Sequence, residues 1–312
     1  MHCSVSGERT LHKEIEEYEK KMTELPTIRP PNEWDSLFLR VTRGCFWNRC
    51  KFCGIYDFFG VEASFREKRE LLEEIEELSK VGIFQKKETA FFGDSDPILM
   101  ETSDLEEIII RLYEKFPNIK RLTTYARAAT LWKKREDLER LKIAGLTRVH
   151  VGLETGSDYL LKFHRKGINK KRMIQSGKKT KEAGIELSYY VLLGLGGKDY
   201  SEEHIKETLD VLNEVRPEFV RFRRLWIHPA CDLAREKDNF KQQTPEGTVY
   251  ELREILKNID FKTTIEAMHA NNYVQLCGKI PEQKQKMLNK IDKFLWLPSE
   301  KRKVVYEKDG VI

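Results

Sequence analysis

From Asp35 onward the chain alternates short runs of β-branched and aromatic residues with longer segments whose apolar residues return at helical spacing. Such alternation argues for parallel βαβ units. The strand-like runs fall at 36–42, 88–93, 119–125, 146–153, 186–193 and 218–226. Helical patterns separate them at 66–80, 103–116, 132–143, 157–163, 170–183 and 202–215, the first carrying Leu71, Leu72, Ile75 and Leu78 on one face. Gly145 and Gly184 stand where two of these helices should stop. Six βα units rather than eight predict an α/β fold, a partial (β/α)6 TIM-like barrel whose lateral opening would admit a substrate.

The two ends break the pattern. Residues 1–34 read as a short N-terminal helical extension, with a charged amphipathic helix at 11–22 broken by Pro26, Pro30 and Pro31. Its expected role is to pack across one end of the barrel. Residues 229–312 no longer alternate. They carry helices near 246–258 and 282–293, a short extended piece near 262–268 and a polar tail. The expected division is therefore 1–34, a barrel over 35–228, and a mixed, mainly helical C-terminal extension on the substrate side.

Composition changes this picture little. At 312 residues, 34% charged and 40% hydrophobic, the chain suits one α/β barrel with a sizeable core. No apolar run approaches the roughly 18 residues of a membrane span, and the N-terminus lacks the apolar stretch of a secretion signal. A cytoplasmic protein with no membrane partner is expected. The net charge of +5 permits an anionic substrate without being a nucleic-acid signature. Six cysteines, three of them bunched, argue for a reducing compartment and against a disulfide framework.

The bunched cysteines lie in VTRGCFWNRCKFCGIY, residues 41–56, as Cys45-x4-Cys50-x2-Cys53 directly after the first strand. Thiolates are soft ligands that suit zinc or an iron–sulfur cluster. A structural zinc site is normally closed by four ligands, and no fourth Cys or His lies nearby in the sequence. Three thiolates would instead leave one iron of a cubane open to a substrate or cofactor. A small zinc knuckle, or thiols without metal, is the plainer reading.

This loop resembles that of the radical S-adenosylmethionine (SAM) enzymes, specifically a subgroup with a GC-x-x-N-R-C-x-F-C loop related to oxygen-independent coproporphyrinogen oxidase and Elongator-type cores. The resemblance runs from about Ser36 to about Trp226, with a weaker match near 268–292. The x4 spacing departs from the x3 of most of that family. The resemblance implies a [4Fe–4S] cluster on Cys45, Cys50 and Cys53, with SAM on the open iron. Phe52 and Tyr56 would shield the cluster and flank the adenine.

Four strand-end loops fit the same resemblance, since working residues of barrels gather at carboxyl ends. In Phe92-Gly93-Asp94-Ser95-Asp96-Pro97, Gly93 would let the backbone approach, and Asp94 or Asp96 would take the methionine ammonium. A plain helix start is the alternative. Arg127 would meet a carboxylate of SAM or of the substrate, or pair with Glu154 or Asp94. Glu154 would receive the ribose hydroxyls, and Lys166, with Arg165 as alternate, would pair with the SAM carboxylate. The plainer reading makes Glu154 a helix N-terminal acid and leaves Lys166 solvated. Backbone groups of Val191 and Leu193, before the Gly194–Gly197 loop, would contact adenine.

Further residues are open at this level. Arg221 and Arg223 share one face of the sixth strand and would meet an anionic substrate or simply face solvent. Cys231 and Cys277 lack neighbouring cysteines, so a second cluster is not expected; either is a small apolar residue or a hydrogen-atom donor. His204 reads as structural or as a substrate contact, and His269 with Asn271 and Asn272 could line the cavity. The expected function is reductive cleavage of SAM to a 5′-deoxyadenosyl radical that abstracts hydrogen from a small-molecule or peptide substrate. An external flavodoxin- or ferredoxin-type donor would supply the electron. The alternatives are a non-catalytic cluster- and SAM-binding haem chaperone and, less favoured, an RNA methylthiotransferase.

Overall fold

The computed structural model describes residues 28–302 apart from Lys237 and Ser299. The expected helix at 11–22 and the polar tail lie outside the described residues. Strand β1 (Leu37–Arg40) is followed by two short antiparallel strands, β2 (Thr42–Arg43) and β3 (Ser64–Phe65), which bracket the cysteine loop. Then come β4 (Thr89–Gly93), β5 (Arg121–Ala126), β6 (Leu146–Glu154), β7 (Glu186–Leu193), β8 (Phe219–Arg224), β9 (Thr263–Glu266) and β10 (Cys277–Ile280). The main sheet has the order β1-β4-β5-β6-β7-β8-β9-β10. All its pairings are parallel except the last, between β9 and β10.

The six expected barrel strands are all present, in sequential order. The sheet then continues into the C-terminal part: β8 leads through the helix Pro245–Asn258 to β9, a further parallel strand. The extended piece expected near 262–268 is this strand, while β10 left no signal. Its residues Cys-Gly-Lys-Ile include a glycine and a lysine, which suit an edge strand better than a buried one. One other difference concerns the helix expected at 132–143. It is two helices, Ala128–Lys133 and Leu138–Ala144. The intervening Lys134-Arg135-Glu136-Asp137 offers nothing apolar to bury, and Lys134 and Asp137 instead bond to Met100 O and Thr102. A short helix, Ile55–Phe59, also follows the cysteine loop directly.

Strand alternation sorts the side chains into two layers. One set, including Leu37, Leu39, Ala90, Phe92, Val149, Val151, Leu187, Tyr189 and Val191, belongs to the core shared with the surrounding helices. Burial of each such leucine or phenylalanine contributes about 1.5–3 kcal/mol. The other set forms a row inside the barrel: Phe38, Phe91, Tyr125, His150 and Tyr190, with successive ring centroids 5.1–6.3 Å apart. Arg221 of β8 continues it, its guanidinium 5.7 Å from the Tyr190 ring. The interior is thus aromatic and polar where the outer layer is aliphatic.

Candidate active site

The cysteine loop is pinned from three directions. At its start, Gly44 donates its N–H to Asp94 Oδ2 at 3.3 Å and accepts from Ser95 Oγ at 2.8 Å. Gly44 has φ +61°, and a Cβ there would come 2.9 Å from the Glu62 backbone, so only glycine makes this turn without strain. In its middle, the turn after the helix Asp158–Phe163 grips the loop. Trp47 Nε1 donates to Arg165 O at 2.7 Å, and Lys51 N donates to His164 O at 3.1 Å. From behind, the segment after β8 returns to it, with Leu233 N on Lys51 O at 2.8 Å and Lys51 paired with Glu236 at 2.5 Å.

Cys45, Cys50 and Cys53 are free and half-buried. Burial pushes the Cys50 thiol up to about 11 against the pull of Lys166, and raises Cys53 as well, with each of the two feeling a neighbouring cysteine. Among the described residues, no three His, Cys, Asp or Glu side chains converge as a single metal ion would require. Three free thiols in one pinned loop, with a cation beside them, suit a [4Fe–4S] cluster held by three thiolates.

Next to the loop opens a cavity of about 360 Å³ at the carboxyl ends of the strands. On one part of its wall stand Phe52, Cys53, Tyr56, Arg127, Glu154 and Lys166. Glu154 and Lys166 pair at 2.7 Å, both largely buried. Burial works against the charge on Lys166, but Glu154 and Cys50 beside it carry its pKa above the ordinary lysine value. Glu154 follows a register shift in β6 and has φ +61°, a left-handed conformation that turns its carboxylate back over Gly152. Arg127 donates to Lys166 O at 3.0 Å and stacks 4.8 Å over Trp47. Neither pairing foreseen for Arg127, with Glu154 or with Asp94, is made, and Lys166 is not solvated.

The Asp94 and Asp96 carboxylates are directed elsewhere. Asp94 is buried in an ion pair with Arg40 at 3.3 Å besides holding Gly44. Asp96 accepts from Thr130 Oγ1 at 2.5 Å and Arg127 N at 3.2 Å, and burial pushes its carboxyl up to about 6. Gly93, Asp94 and Asp96 are not on the cavity wall; Ser95 is. Val191 is on the wall, whereas Leu193 is not, and its carbonyl accepts from Leu225 N at 2.8 Å.

Tyr125, His150, Tyr190, Arg223, Trp226 and His228 complete much of the remaining wall. Of these, only Arg223 was singled out from the sequence. Period-two counting along β6 would have placed His150 inside with Gly152. His204 is instead fully buried, 3.8 Å from Glu251, and His269 and Asn271 bond to each other away from the cavity wall. Cys231 packs against Gly54 and among Leu195, Leu225 and Leu233, as a small apolar residue does. Cys277 is exposed.

Residues 39–212 match the Radical SAM superfamily. The chain belongs to that superfamily. Radical SAM proteins are enzymes that use a [4Fe–4S] cluster and SAM, so this chain's cofactors are those two. It is 26% identical over 171 residues to a protein of Methanocaldococcus jannaschii provisionally named a methylthiotransferase, covering 54% of this chain and 36% of that one. It is 23% identical over 246 residues to the tRNA-2-methylthio-N(6)-dimethylallyladenosine synthase of Methylacidiphilum infernorum, covering 71% and 48%. The chain thus spans about a third to a half of the length of these curated relatives. Coproporphyrinogen III oxidase from Escherichia coli shares the fold, with TM-score 0.55 and 15% identity over 71% of this chain and 51% of that one. Among the described residues no helix is long and apolar enough to cross a membrane.

Proposed function

We propose that this radical SAM enzyme holds its cluster on Cys45, Cys50 and Cys53, binds SAM along the Phe52, Tyr56, Glu154 and Lys166 wall, and acts on a substrate in the same cavity. When bound, cluster and SAM supply reductive cleavage to a 5′-deoxyadenosyl radical able to take hydrogen from an unactivated C–H. The protein's share is positioning. Glu154 offers a carboxylate for ribose hydroxyls and Lys166 an ammonium for the methionine carboxylate, each held in place by the other. Phe52 and Tyr56 give apolar flanks that keep water from the reacting atoms, and Val191 lends backbone groups for adenine. Asp94 serves the loop through Gly44 and Arg40, which leaves the Ser95 hydroxyl, the group of this loop that reaches the cavity wall, for the methionine ammonium. The electron comes from a flavodoxin- or ferredoxin-type donor.

The observation that carries this reading is the pinned three-thiol loop beside a cavity walled by the Glu154–Lys166 pair. Changing Cys50 to Ala in anoxically reconstituted protein should remove the brown chromophore and 5′-deoxyadenosine formation together. Cleavage of SAM surviving in that variant would defeat the assignment. The names of the two sequence relatives favour a second reading, methylthio transfer to RNA. Among the described residues the cysteines outside the loop are Cys231, packed in an apolar cluster, and Cys277, exposed on β10. Mass spectrometry of tRNA incubated with the reconstituted enzyme, looking for added methylthio mass, separates the two.

A further inference from the structure

We propose that the cavity contains a subsite for an oxyanion of the substrate, anchored by the Arg223 guanidinium beside the polar wall of His150, Tyr125 and Tyr190. The inference rests on the radical SAM reading and names a substrate class for it: a small molecule, or the end of a larger one, bearing a carboxylate or phosphate.

The alternation of β8 brings Arg221 and Arg223 to the inside of the barrel, but their circumstances differ. Arg221, deeper along the strand, is committed: it bonds Ser188 Oγ at 2.8 Å, Asn32 Oδ1 at 2.7 Å and Glu266 at 2.5 Å. The adjacent Arg224 is engaged by Asn271 O and by Tyr273 at 3.2 Å. Arg223 stands on the cavity wall, half-buried, and its guanidinium has neither hydrogen bond nor ion pair among the described residues. A cation held partly out of water without a counterion is unfavourable. The planar guanidinium fork matches a carboxylate or phosphate in two-point contact.

Charge across the whole wall points the same way. The lining carries Arg127, Lys166 and Arg223, besides Arg224 with partners of its own, and its carboxylate, Glu154, is already engaged by Lys166. SAM is itself a net monocation, and an oxidised cubane on three thiolates is a net monoanion, so the cofactor pair cancels and adds nothing to balance Arg223. An anionic substrate supplies the missing charge. His150 adds a polar contact of a different kind. It is fully buried on this wall, with Nε2 3.5 Å from Glu33 Oε1 and Nδ1 without a hydrogen-bond partner. Tyr125 and Tyr190 flank it, each ring centroid 5.9 Å away. At about 360 Å³ the cavity lies at the small end of ligand sites, ~300–1,000 Å³. Sharing it with a cofactor restricts the substrate portion to a compact group.

The test uses full-length, cluster-reconstituted protein under anoxic conditions with SAM present, titrated calorimetrically with glutarate and, separately, inorganic phosphate. At least one anion should bind the wild type and bind Arg223→Gln about tenfold or more weakly. Arg223→Lys, which keeps the charge and loses the fork, should recover part of the affinity. Whichever anion binds identifies the group as carboxylate or phosphate. Equal binding to wild type and Arg223→Gln, binding of neither anion, or an anion that displaces SAM and so sits at Lys166, would each overturn the subsite. The change that SAM makes in the electron paramagnetic resonance spectrum of the reduced wild-type cluster is read separately. Its absence would sink the radical SAM reading of this cavity whatever the anions do.

Discussion

A side chain at position 152 would collide with Glu154 Oε1 and place its Cβ 2.7 Å from Lys166 Nζ. Gly152 is therefore the residue that leaves room for the carboxylate–ammonium pair on the cofactor wall. Gly152→Ala should force the pair apart, at about 1–3 kcal/mol for an overpacked site, and weaken SAM binding about tenfold or more. Equilibrium dialysis with SAM checks this; unchanged affinity would remove Glu154 and Lys166 from the binding site. The cysteine trio was legible in the sequence because its spacing is local, nine residues along one loop. Glu154 and Lys166 were each legible as candidates, but their pairing was not. It depends on a register shift in β6 and a left-handed residue, neither of which a string of letters displays.

At the scale of elements, the Gly93–Pro97 loop turned out to organise its neighbours. Asp94 ties β1, through the buried Arg40, to the start of the cysteine loop at Gly44. Removing one partner of a buried ion pair leaves the other charge stranded. Asp94→Ala should accordingly lower stability by about 3–5 kcal/mol, seen as a lower urea midpoint, and loosen the cluster loop. A variant as stable as wild type but poor in SAM binding would return Asp94 to the ligand role that its position in the sequence suggested. The strands that bound the site were readable from alternation, because each long parallel strand needs one continuous apolar face. The short β2, β3 and β10 were not, since two to four residues carry no period.

The whole molecule buries several titratable groups, and their signs oppose one another. Burial holds His150, His164 and His269 down to about 4 and His204 to about 3. An unfolded histidine titrates near 6.5. Between about 6.5 and 4 the unfolded chain therefore binds protons that these folded residues refuse. Their stabilisation is complete above 6.5 and is lost as the pH falls. Burial raises Asp96 to about 6 and Glu251 to about 7, so for these two the folded chain keeps the proton and stability is lost as the pH rises. Four histidines outweigh two carboxylates. Urea midpoints should fall from pH 7 to pH 4.5 by the equivalent of roughly a few kcal/mol; a flat or rising profile across that window would contradict the burial of the histidines.

The sequence by itself determined the α/β alternation, the six core strands and the thiolate loop, because each is written in residues close together along the chain. The tertiary structure decided which charges meet. It paired Glu154 with Lys166, buried Asp94 against Arg40, committed Arg221 to Glu266 and left Arg223 facing the cavity. These outcomes depend on distances between strands that are far apart in sequence, and electrostatic interactions are set by distance and burial rather than by order along the chain.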